Sequence, residues 1–390
     1  MRKQRNIPSL RFPEFDGEWE DKKLGDIAKV KRGASPRPIA DKKWFDETST
    51  VGWVRISDVT RSNKILNVTE QHLSEAGIKK SRFIPKGNLI MSICATIGKP
   101  IYTGFDVCIH DGFVVFDKLS TKKDFMYYLL DGIQRRWVKY GQPGIQLNLN
   151  SDIVSSEKVA LPIEQSEQQK IADFLTAVDK RIAQLEEKKR LLTEYKKGVM
   201  QQIFSQQIRF TDDNGNPYPD WEEKRLGDVC GMQAGKFVRA ANINEYKKPD
   251  LYPCFGGNGV RGFTKTFTHD GKHSLIGRQG ALCGNINLAT GKFHATEHAI
   301  VTTPKEGTSV DWLFYKLIHL NLNQYATGQA QPGLSVNNLE KIVVDIPRIE
   351  KEQQKIADFL TSIDNKIEQV GAQLEQAKAF KKGLLQQMFV

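Results

Sequence analysis

The sequence predicts a mixed α/β (α+β) protein in which two similar globular domains lie at opposite ends of a two-helix antiparallel coiled coil, related by pseudo-twofold symmetry. Three observations lead to this prediction. A segment of 16 residues occurs twice, each copy opens a long stretch with apolar residues at heptad spacing, and each stretch follows a region of short strand-like runs and Gly-rich turns.

The repeat is the strongest of these signals. Leu161–Thr176 reads LPIEQSEQQKIADFLT, and Ile346–Thr361 reads IPRIEKEQQKIADFLT. The correspondence continues without a gap into the Lys-Lys-Gly sequences at 196–198 and 381–383. Its period is far longer than the roughly 20–50 residues of a solenoid repeat, so it indicates one duplicated unit, a variable domain followed by a near-invariant helix.

The globular halves combine strands with short helices. Runs of β-branched and aromatic residues predict strands at Gly52–Ser57, Asn88–Ile93, Gly112–Phe116 and His298–Thr302. Helices are predicted over Asp124–Lys139 and Asp311–Tyr325. The predicted domain boundaries give two globular domains, 1–160 and 207–346, and two conserved helices, 161–206 and 347–390.

Each conserved helix begins after a proline, because Pro162 and Pro347 disfavour helix upstream of themselves. At a rise of about 1.5 Å per residue, each helix is roughly 55–60 Å long. Lys189, Lys196 and Lys381 interrupt its apolar stripe. The residues predicted to pair the helices are Ile171, Leu175, Val178, Ile182, Leu185, Leu192 and Val199 in the first, and Ile356, Leu360, Ile363, Ile367, Val370, Leu374 and Leu384 in the second.

A lone helix of this kind would leave its stripe in water, so we expect the two helices to pack on each other. The alternative is that each helix packs only on its own domain. The connection from Phe204 to Trp221 is short and rich in Asp, Asn, Gly and Pro, so the second domain starts near the end of the first helix. That arrangement favours an antiparallel pair over a parallel one.

Composition argues against several classes of protein. The 390 residues are 39% hydrophobic and 26% charged, close to the average of globular proteins, and no apolar run reaches the roughly 18 residues of a membrane span. The basic residues 1–5 lead into no apolar segment, so we expect no secretory signal. The five Cys form no Cys-x-x-Cys pair, which argues against a zinc site and a disulfide framework and favours the reducing cytoplasm.

The net charge of +11 indicates a polyanionic partner. The excess is concentrated in residues 1–160, with 27 Lys and Arg against 19 Asp and Glu, whereas residues 207–346 have 15 against 14. DNA binding in the second domain would therefore depend more on where its basic residues are placed than on its net charge.

The sequence shows no recognisable catalytic or cofactor site. It contains neither Gly-x-x-x-x-Gly-Lys-[Ser/Thr] nor Gly-x-Gly-x-x-Gly, nor the Asn-Pro-Pro-aromatic sequence of DNA amino-methyltransferases. His294 and His298 do not match His-Glu-x-x-His, so we expect no metal there. His269 and His273 are predicted at the surface or facing DNA, and Cys283 as a buried structural thiol. The missing motifs count against a self-sufficient DNA-modifying enzyme.

Duplex DNA binding requires basic residues in loops, beside amides and hydroxyls. For any single residue the alternative is an ordinary solvated charge, so the prediction concerns each cluster as a whole. The candidate DNA-binding residues of the first domain are Lys31, Arg32, Ser35, Arg37, Arg55, Ser57, Arg61, Asn63 and Lys64. Those of the second domain are Lys236, Arg239, Asn258, Arg261, Lys265, Arg278 and Gln279.

Taken together, these features resemble the specificity subunit of type I restriction-modification systems, over essentially the whole chain. Three features that carry the resemblance occur twice each: the helices after Pro162 and Pro347, the Gln-Pro-Gly turns at 142–144 and 331–333, and the Trp-x-x-x-x-Leu-Gly-Asp openings at Trp19 and Trp221. Inside the domains, the unlike segments Gly52–Asp58 and Tyr252–Gly259 also resemble the family. Each motif alone is weak, whereas the order domain, helix, domain, helix is specific.

The resemblance implies that each globular domain is a target-recognition domain that reads one half of a split DNA target. It implies that the paired helices set the unread gap and dock two methyltransferase (modification) subunits, which carry S-adenosylmethionine and methylate adenine. Restriction subunits, which are ATP-dependent translocase-nucleases, complete the assembly for bacterial defence. The resemblance also implies that this chain is non-catalytic and binds no cofactor itself, and that S-adenosylmethionine, ATP and Mg²⁺ belong to partner subunits in the cytoplasm.

Two alternatives from other classes stay open at this point. One is a coiled-coil scaffold protein with no DNA role, which salt-dependent binding to duplex DNA would exclude. The other is a self-sufficient DNA-modifying enzyme with an unrecognised site, which methylation and cleavage assays on the isolated chain would decide.

Overall fold

The computed structural model describes residues 6–140, 149–280, 282–328 and 332–390. Residues 1–5, the first Gln-Pro-Gly turn at 142–144 and Gln331 of the second turn lie outside the described residues. The chain divides into two compact units, one of residues 1–186 with 373–390, the other of residues 187–372. Both long helices therefore contribute one part to each unit.

The first unit is a mixed α/β structure. Its strands are β1 (Glu20–Lys23), β2 (Lys29–Arg32), β3 (Gly52–Val54), β4 (Ile65–Leu66), β5 (Gln71–His72), β6 (Arg82–Ile84), β7 (Leu89–Ser92), β8 (Pro100–Thr103), β9 (Val107–Ile109), β10 (Phe113–Asp117) and β11 (Lys158–Leu161). Its short helices are α1 (Leu24–Ile27), α2 (Ile56–Arg61), α3 (Glu75–Lys79), α4 (Lys123–Gly132) and α5 (Ser151–Ser156). The first long helix, α6 (Gln165–Phe204), follows.

The second unit repeats this organisation with different residues. Its strands are β12 (Glu222–Arg225), β13 (Cys230–Ala234), β14 (Tyr252–Gly256), β15 (Gly259–Thr264), β16 (His273–Gly277), β17 (Ile286–Ala289), β18 (His294–Ala295), β19 (Ala299–Pro304) and β20 (Val343–Ile346). Its short helices are α7 (Leu226–Val229), α8 (Val310–His319) and α9 (Val336–Leu339), and the second long helix is α10 (Glu350–Met388).

The sheets of the two units correspond strand by strand. In the first unit the order β2-β10-β7-β8 continues to β4, and in the second the same four places are taken by β13-β19-β16-β17. A second sheet, β5-β3-β9-β6, corresponds to β15-β14-β18 through its central parallel pair. The pairs β1–β11 and β12–β20 each join the opening of a domain to the strand that leads into its long helix.

Three predicted elements end earlier than the sequence suggested. The strand that begins at Gly52 stops at Val54, because the Asp58 carboxylate accepts the Arg55 amide N–H at 2.8 Å and starts α2. The helix predicted to reach Lys139 ends at Gly132 and continues as a 3₁₀ turn. Likewise, α8 ends at His319, because Asn321 adopts a left-handed φ of 46°, and the remaining predicted residues form a 3₁₀ turn.

The near-invariant Glu-Gln-Gln sequence is explained by how each long helix attaches to its domain. Buried Glu167 accepts the Trp19 indole N–H at 3.3 Å and Arg11 Nε at 2.7 Å. The next side chain, Gln168, donates to the carbonyl of Pro162 at 3.1 Å. These contacts fix the angle at which the chain enters the helix.

The second unit makes the same attachment. Glu352 accepts the Trp221 indole at 3.0 Å and Arg209 Nε at 3.2 Å, and Gln353 donates to the Pro347 carbonyl at 2.9 Å. The repeated sequence is therefore a repeated joint between domain and helix.

The long helices run antiparallel within each unit. In the first unit Lys381 lies 2.9 Å from Asp179 and Lys378 lies 3.0 Å from Glu186, so residue numbers fall along α10 as they rise along α6. In the second unit Lys196 lies 2.6 Å from Asp364, and a methyl group at Gly371 would lie 3.4 Å from Lys189 Nζ.

The apolar stripe serves both the helix pair and the domain cores. Ile171, Leu175 and Leu384 belong to the core of the first unit, together with Phe125 and Trp19. In the second unit Val199, Ile356, Leu360 and Ile363 belong to one core. Three further residues of the predicted stripe are buried and four are partly buried: Leu185, Val370 and Leu374, and then Val178, Ile182, Leu192 and Ile367. The N-terminal part of each long helix thus packs on its own domain, and the C-terminal part of the opposite helix joins the same core.

Candidate nucleic-acid interface

A common backbone frame supports a surface cleft in each unit. In the first unit β3 and β9 pair in parallel, and the residues that follow β2, Gly33 and Ala34, are hydrogen-bonded across the ends of these strands. Gly33 N–H donates to Phe113 O at 2.8 Å, and Ala34 N–H donates to Ile109 O at 3.0 Å. A Cβ at Gly33 would lie 2.0 Å from His110 O, so only glycine permits this approach.

The second unit has the same frame. Strands β14 and β18 pair in parallel, Gly235 N–H donates to Ala299 O at 2.9 Å, and Lys236 N–H donates to Ala295 O at 2.8 Å. A Cβ at Gly235 would lie 2.3 Å from Ala295 O. The frame places Arg55 and Gly256 at equivalent positions, because each directly follows the residue at the end of the parallel pair.

In the first unit the cleft has a volume of about 460 Å³ and is lined by Arg55, Ile56, Ser57, Glu70, Gln71 and His110. The Arg55 guanidinium donates to Gln71 Oε1 at 2.6 and 2.9 Å, which holds an exposed cation and an amide side by side. Arg61 lies nearby, 3.8 Å from Glu70, and most of its side chain is exposed.

Asp111 contacts three of the predicted residues at the rim of this cleft. Its carboxylate accepts the Ser35 hydroxyl at 2.7 Å and lies 3.5 Å from Arg37, and its backbone carbonyl accepts Arg32 Nε at 2.8 Å. The hydrogen bond from Ser35 is the main cause that lowers the pKa of Asp111. Asp111 therefore orients Arg37 and Ser35 through its ionised carboxylate and Arg32 through its backbone carbonyl, all on one exposed edge.

His110 lines the same cleft as a neutral imidazole. Burial lowers its pKa, and the opposing charge of Asp111, 3.9 Å away, does not offset this effect. The Gly112 N–H donates to His110 Nδ1 at 2.9 Å, so the proton of the ring lies on Nε2. The ring packs edge-on against Phe113, with centroids 4.9 Å apart, and presents one polar donor rather than a charge.

The remaining candidates of the first domain lie elsewhere. Lys31 is paired with Asp117 at 2.6 Å. Lys64 is directed at two helices: it lies 3.1 Å from Asp124 and donates to Tyr128 Oη at 3.1 Å, both on α4, and it donates to Thr176 Oγ1 at 3.3 Å on the long helix α6. Asn63 lies 3.4 Å from Glu186 of the same helix.

In the second unit the cleft is larger, at about 560 Å³, and its lining includes Asn258, Arg261, Gln279 and His298. His298 Nδ1 lies 3.2 Å from Gln279 Oε1, and Asn285 donates to Asn258 Oδ1 at 2.9 Å. The glycines at 256, 257 and 259 leave the floor open, so the amides and the exposed Arg261 line a wide polar surface.

The other candidates of the second domain differ in their distance from this cleft. Lys236 and Arg239 follow Gly235 in the chain and are exposed. Arg278 is partly buried and does not line the cleft, although it directly precedes the lining residue Gln279. Lys265 follows the far end of β15, six residues beyond Gly259, which at about 3.3 Å per residue is about 20 Å away along the strand.

Several residues of these surfaces were not predicted. Gln71, His110 and Asp111 line or border the first cleft, and Phe237, 70% exposed between Lys236 and Arg239, borders the second. Polar residues directly after a buried strand and an aromatic residue inside a basic loop are the signals that would have found them.

The histidines predicted at the surface are partly buried instead. His269 stacks on buried Phe293 at 5.4 Å, and His273 packs on the same ring at 5.8 Å, because Phe293 needs apolar faces around it. Cys283 is buried as predicted, and burial raises the pKa of its thiol. Among the residues that the structure describes, no group of three His, Cys, Asp or Glu side chains is arranged to hold a metal ion.

The searched helices, all from the described ranges, include none that is both long and apolar enough to cross a membrane. The clefts combine arginines and amides, with the hydroxyl of Ser57 in the first unit. These are the side chains that bind guanine and adenine edges and phosphates.

Comparison with known proteins agrees with this chemistry. The family model described as the type I restriction modification DNA specificity domain matches residues 16–194 and again residues 218–379. The type I restriction enzyme EcoprrI specificity subunit of Escherichia coli is 30% identical, over 87% of this chain and 86% of that protein. The MjaVIII specificity subunit of Methanocaldococcus jannaschii is 22% identical, over 98% of this chain and 93% of that one.

Solved structures share the fold. The S subunit of a type I restriction-modification system from M. genitalium superposes with a TM-score of 0.63 at 16% identity, covering 98% of this chain and 99% of that chain. A chain from a structural study of complex assembly and conformational transition in the type I system gives a TM-score of 0.57 at 16% identity, covering 94% and 96%. The chain belongs to the family of type I restriction-modification DNA specificity subunits, which recognise DNA and are not themselves catalytic.

Proposed function

We propose that each cleft reads one half of a bipartite DNA target. The observation that carries this proposal is the pair of equivalent backbone frames with unlike side chains. A shared frame presents residues to a groove in the same way, whereas Arg55 and Ser57 in one unit and Gly256 and Asn258 in the other offer different hydrogen-bonding patterns to the bases.

Within each cleft we assign base contacts and phosphate contacts by position. Arg55, Arg261, Asn258 and Gln279 line the clefts and have the side chains suited to bidentate contacts with guanine or adenine. The basic residues at the rims, all exposed except the partly buried Arg278, set the register on phosphates: Arg32, Arg37, Arg61, Lys236, Arg239 and Arg278. Ser57 donates from the same edge, whereas the Ser35 hydroxyl already donates to Asp111 and is left to accept. Lys31, Asn63, Lys64 and Lys265 are engaged elsewhere or lie apart from the clefts.

A binding experiment tests the two-reader proposal. The full chain, in complex with its modification subunits, is titrated with duplexes in which one half-site at a time is scrambled. We expect either scrambled half to weaken binding at fixed salt concentration, because each carries part of the specific contacts. If scrambling one half leaves binding unchanged at every salt concentration, that unit reads no bases.

We also propose that residues 1–160 and 207–346 are the target-recognition domains and that the helices of 161–206 and 347–390 set the spacing between half-sites. Each long helix contributes to both units and joins its domain through the Glu167 or Glu352 attachment. Removing seven residues from both helices, in register, should shorten the unread gap without changing the bases read. Methylation mapping that finds the original gap would reject this role.

The partners are proposed on the family relationship. We propose that the helices bind two adenine-methylating modification subunits, which carry S-adenosylmethionine, and that restriction subunits supply the ATP- and Mg²⁺-dependent cleavage in the cytoplasm. Native mass spectrometry of the co-expressed subunits tests this assembly. Two modification subunits for each chain are expected, and a stable complex with one or none would contradict the proposal.

A further inference from the structure

Two of the three lysines that interrupt the apolar stripe are structural counterparts of each other. Lys196 and Lys381 occupy equivalent positions in the two long helices, and only 18% and 19% of their side chains are exposed. A mostly buried ammonium group is unfavourable unless it is paired and hydrogen-bonded. Both lysines are paired, in nearly identical surroundings.

In the second unit the cluster joins three elements. Lys196 Nζ, on α6, lies 2.6 and 2.7 Å from the two carboxylate oxygens of Asp364, on α10. The hydroxyl of Tyr315, on the domain helix α8, donates to the same carboxylate at 2.8 Å and lies 3.0 Å from Thr361 Oγ1. The domain is therefore tied to both long helices at one point.

In the first unit the same cluster is built with the helices exchanged. Lys381 Nζ, now on α10, lies 2.9 Å from Asp179 on α6, and the Tyr128 hydroxyl on α4 donates to Asp179 at 2.7 Å. Thr176 lies 3.1 Å from that hydroxyl, as Thr361 does in the other unit. A second carboxylate, Asp131, lies 3.3 Å from Lys381 and has no counterpart in the second unit, where Ile318 occupies its place.

Such a cluster is better suited to specifying register than to adding stability. A buried ion pair is commonly no more stable than apolar residues of similar volume, but separating its partners leaves uncompensated charges. A heptad stripe fits again after a shift of one heptad, whereas a Lys–Asp–Tyr cluster is satisfied in one register only. A slip of one heptad, about 10.5 Å at 1.5 Å per residue, would separate each lysine from its aspartate.

We propose that Lys196–Asp364–Tyr315 and Lys381–Asp179–Tyr128 are positioning clusters, which fix the axial register of each domain on the helix pair and thereby the number of base pairs tolerated between the half-sites. This inference rests on the proposed spacing role of the helices. It assigns these residues no contact with DNA and gives the interruptions of the stripe a function.

The test replaces one cluster by apolar residues of similar size, Lys196→Met with Asp364→Leu, in the complex with modification subunits. Methylation rates are measured on duplexes with the natural spacer and with one base pair more or fewer, each of which moves one half-site by about 3.4 Å and turns it by about 35°. We expect the unaltered complex to methylate the natural spacer about tenfold faster, or more, than the altered spacers. For the double variant this ratio should fall to about threefold or less, while its melting temperature stays that of the unaltered complex.

Two further variants separate register from stability. The reversed pair Lys196→Asp with Asp364→Lys restores the ion pair and should restore the preference. The matched control Val199→Ala removes apolar contacts from the same part of α6 and should lower the melting temperature while leaving the preference intact.

The proposal is overturned if the apolar double variant keeps the full spacer preference, or if Val199→Ala relaxes the preference as much as the double variant does. An unaltered complex that methylates all three spacers equally would reject the spacing role of the helices, and the positioning clusters with it.

Discussion

The two units are most alike where each domain joins its long helix and least alike where each opens its cleft. Glu167 and Glu352 each accept hydrogen bonds from an equivalent Trp indole and an equivalent Arg side chain, at distances of 2.7 to 3.3 Å. In the clefts Arg55 of the first unit corresponds to Gly256 of the second, and His110 corresponds to buried Thr296. One chain thus contains two copies of a joint and two different surfaces.

Backbone geometry and base specificity are therefore determined by separate residues. The joints, the positioning clusters and the glycines at 33 and 235 fix the backbone, so we expect substitutions there to disturb the whole unit. The side chains on the frame are free to differ, because they face solvent rather than a core. This separation predicts which substitutions act on one half-site and which act on the whole chain.

The largest expected effect comes from exchanging a whole domain. Replacing residues 1–160 with the corresponding domain of another specificity subunit should change one half-site completely and leave the other unaltered, because the two clefts share no residues. Sequencing of methylated adenines checks this outcome. A change in both half-sites would contradict independent reading.

The joints should be the most sensitive points for stability. Glu167→Gln leaves Arg11, 13% exposed, without its carboxylate and should cost about 3–5 kcal/mol in the free energy of unfolding of the first unit. Glu352→Gln should cost less, because Arg209 is 25% exposed and 3.2 Å away. Denaturant unfolding followed by amide exchange in α4 and α8 separates the two units.

A matched control for the joints is Glu187→Gln on the exposed face of α6, which should leave unfolding unchanged. Equal losses in all three variants would show that the joints are not special, and a larger loss for Glu352→Gln would reverse the predicted order.

Single arginines of the clefts should have intermediate effects, confined to one half-site. Arg55→Ala or Arg261→Ala should weaken specific binding by about 1–3 kcal/mol if the arginine contacts a base, and should relax the preference at one position of its own half-site. Binding titrations with single base substitutions measure this. An identical loss on every DNA sequence would reassign the arginine to a phosphate contact.

The smallest effect on DNA is expected at Lys64. Its ammonium group is held by Tyr128, Thr176 and Asp124, so Lys64→Ala should leave DNA affinity and its salt dependence unchanged. Lys236→Ala, which removes an exposed lysine beside the second cleft, should reduce the slope of log affinity against log salt by about one. If the slope of log affinity against log salt is the same for both variants, Lys236 contacts DNA no more than Lys64 does.

The sequence was sufficient to predict the elements that depend on local patterns. The repeat, the prolines and the heptad spacing predicted both long helices, and the family relationship supports the specificity-subunit prediction. Heptad spacing is a one-dimensional signal, so it does not reveal that the ends of the stripe also belong to the domain cores.

The clefts could be predicted only in part, because they depend on contacts between distant residues. Arg55 and Ser57 were identified from their loop, but their neighbours Gln71 and His110 come close only through the pairing of β3 with β5 and β9. Lys64 had the composition expected of a DNA-binding loop, yet the Tyr128 hydroxyl draws it toward α6. Spacing alone does not distinguish a lysine that faces solvent from one that faces a helix.

The central claim is that two separate clefts, held by one pair of helices, specify the two halves of one target. Genome-wide mapping of methylated adenine in cells with and without this chain tests it most directly. We expect the methylated motif to consist of two short specific sequences separated by unread base pairs, and we expect methylation at this motif to disappear when the chain is deleted. A continuous motif, or a methylation pattern unchanged by the deletion, would contradict it.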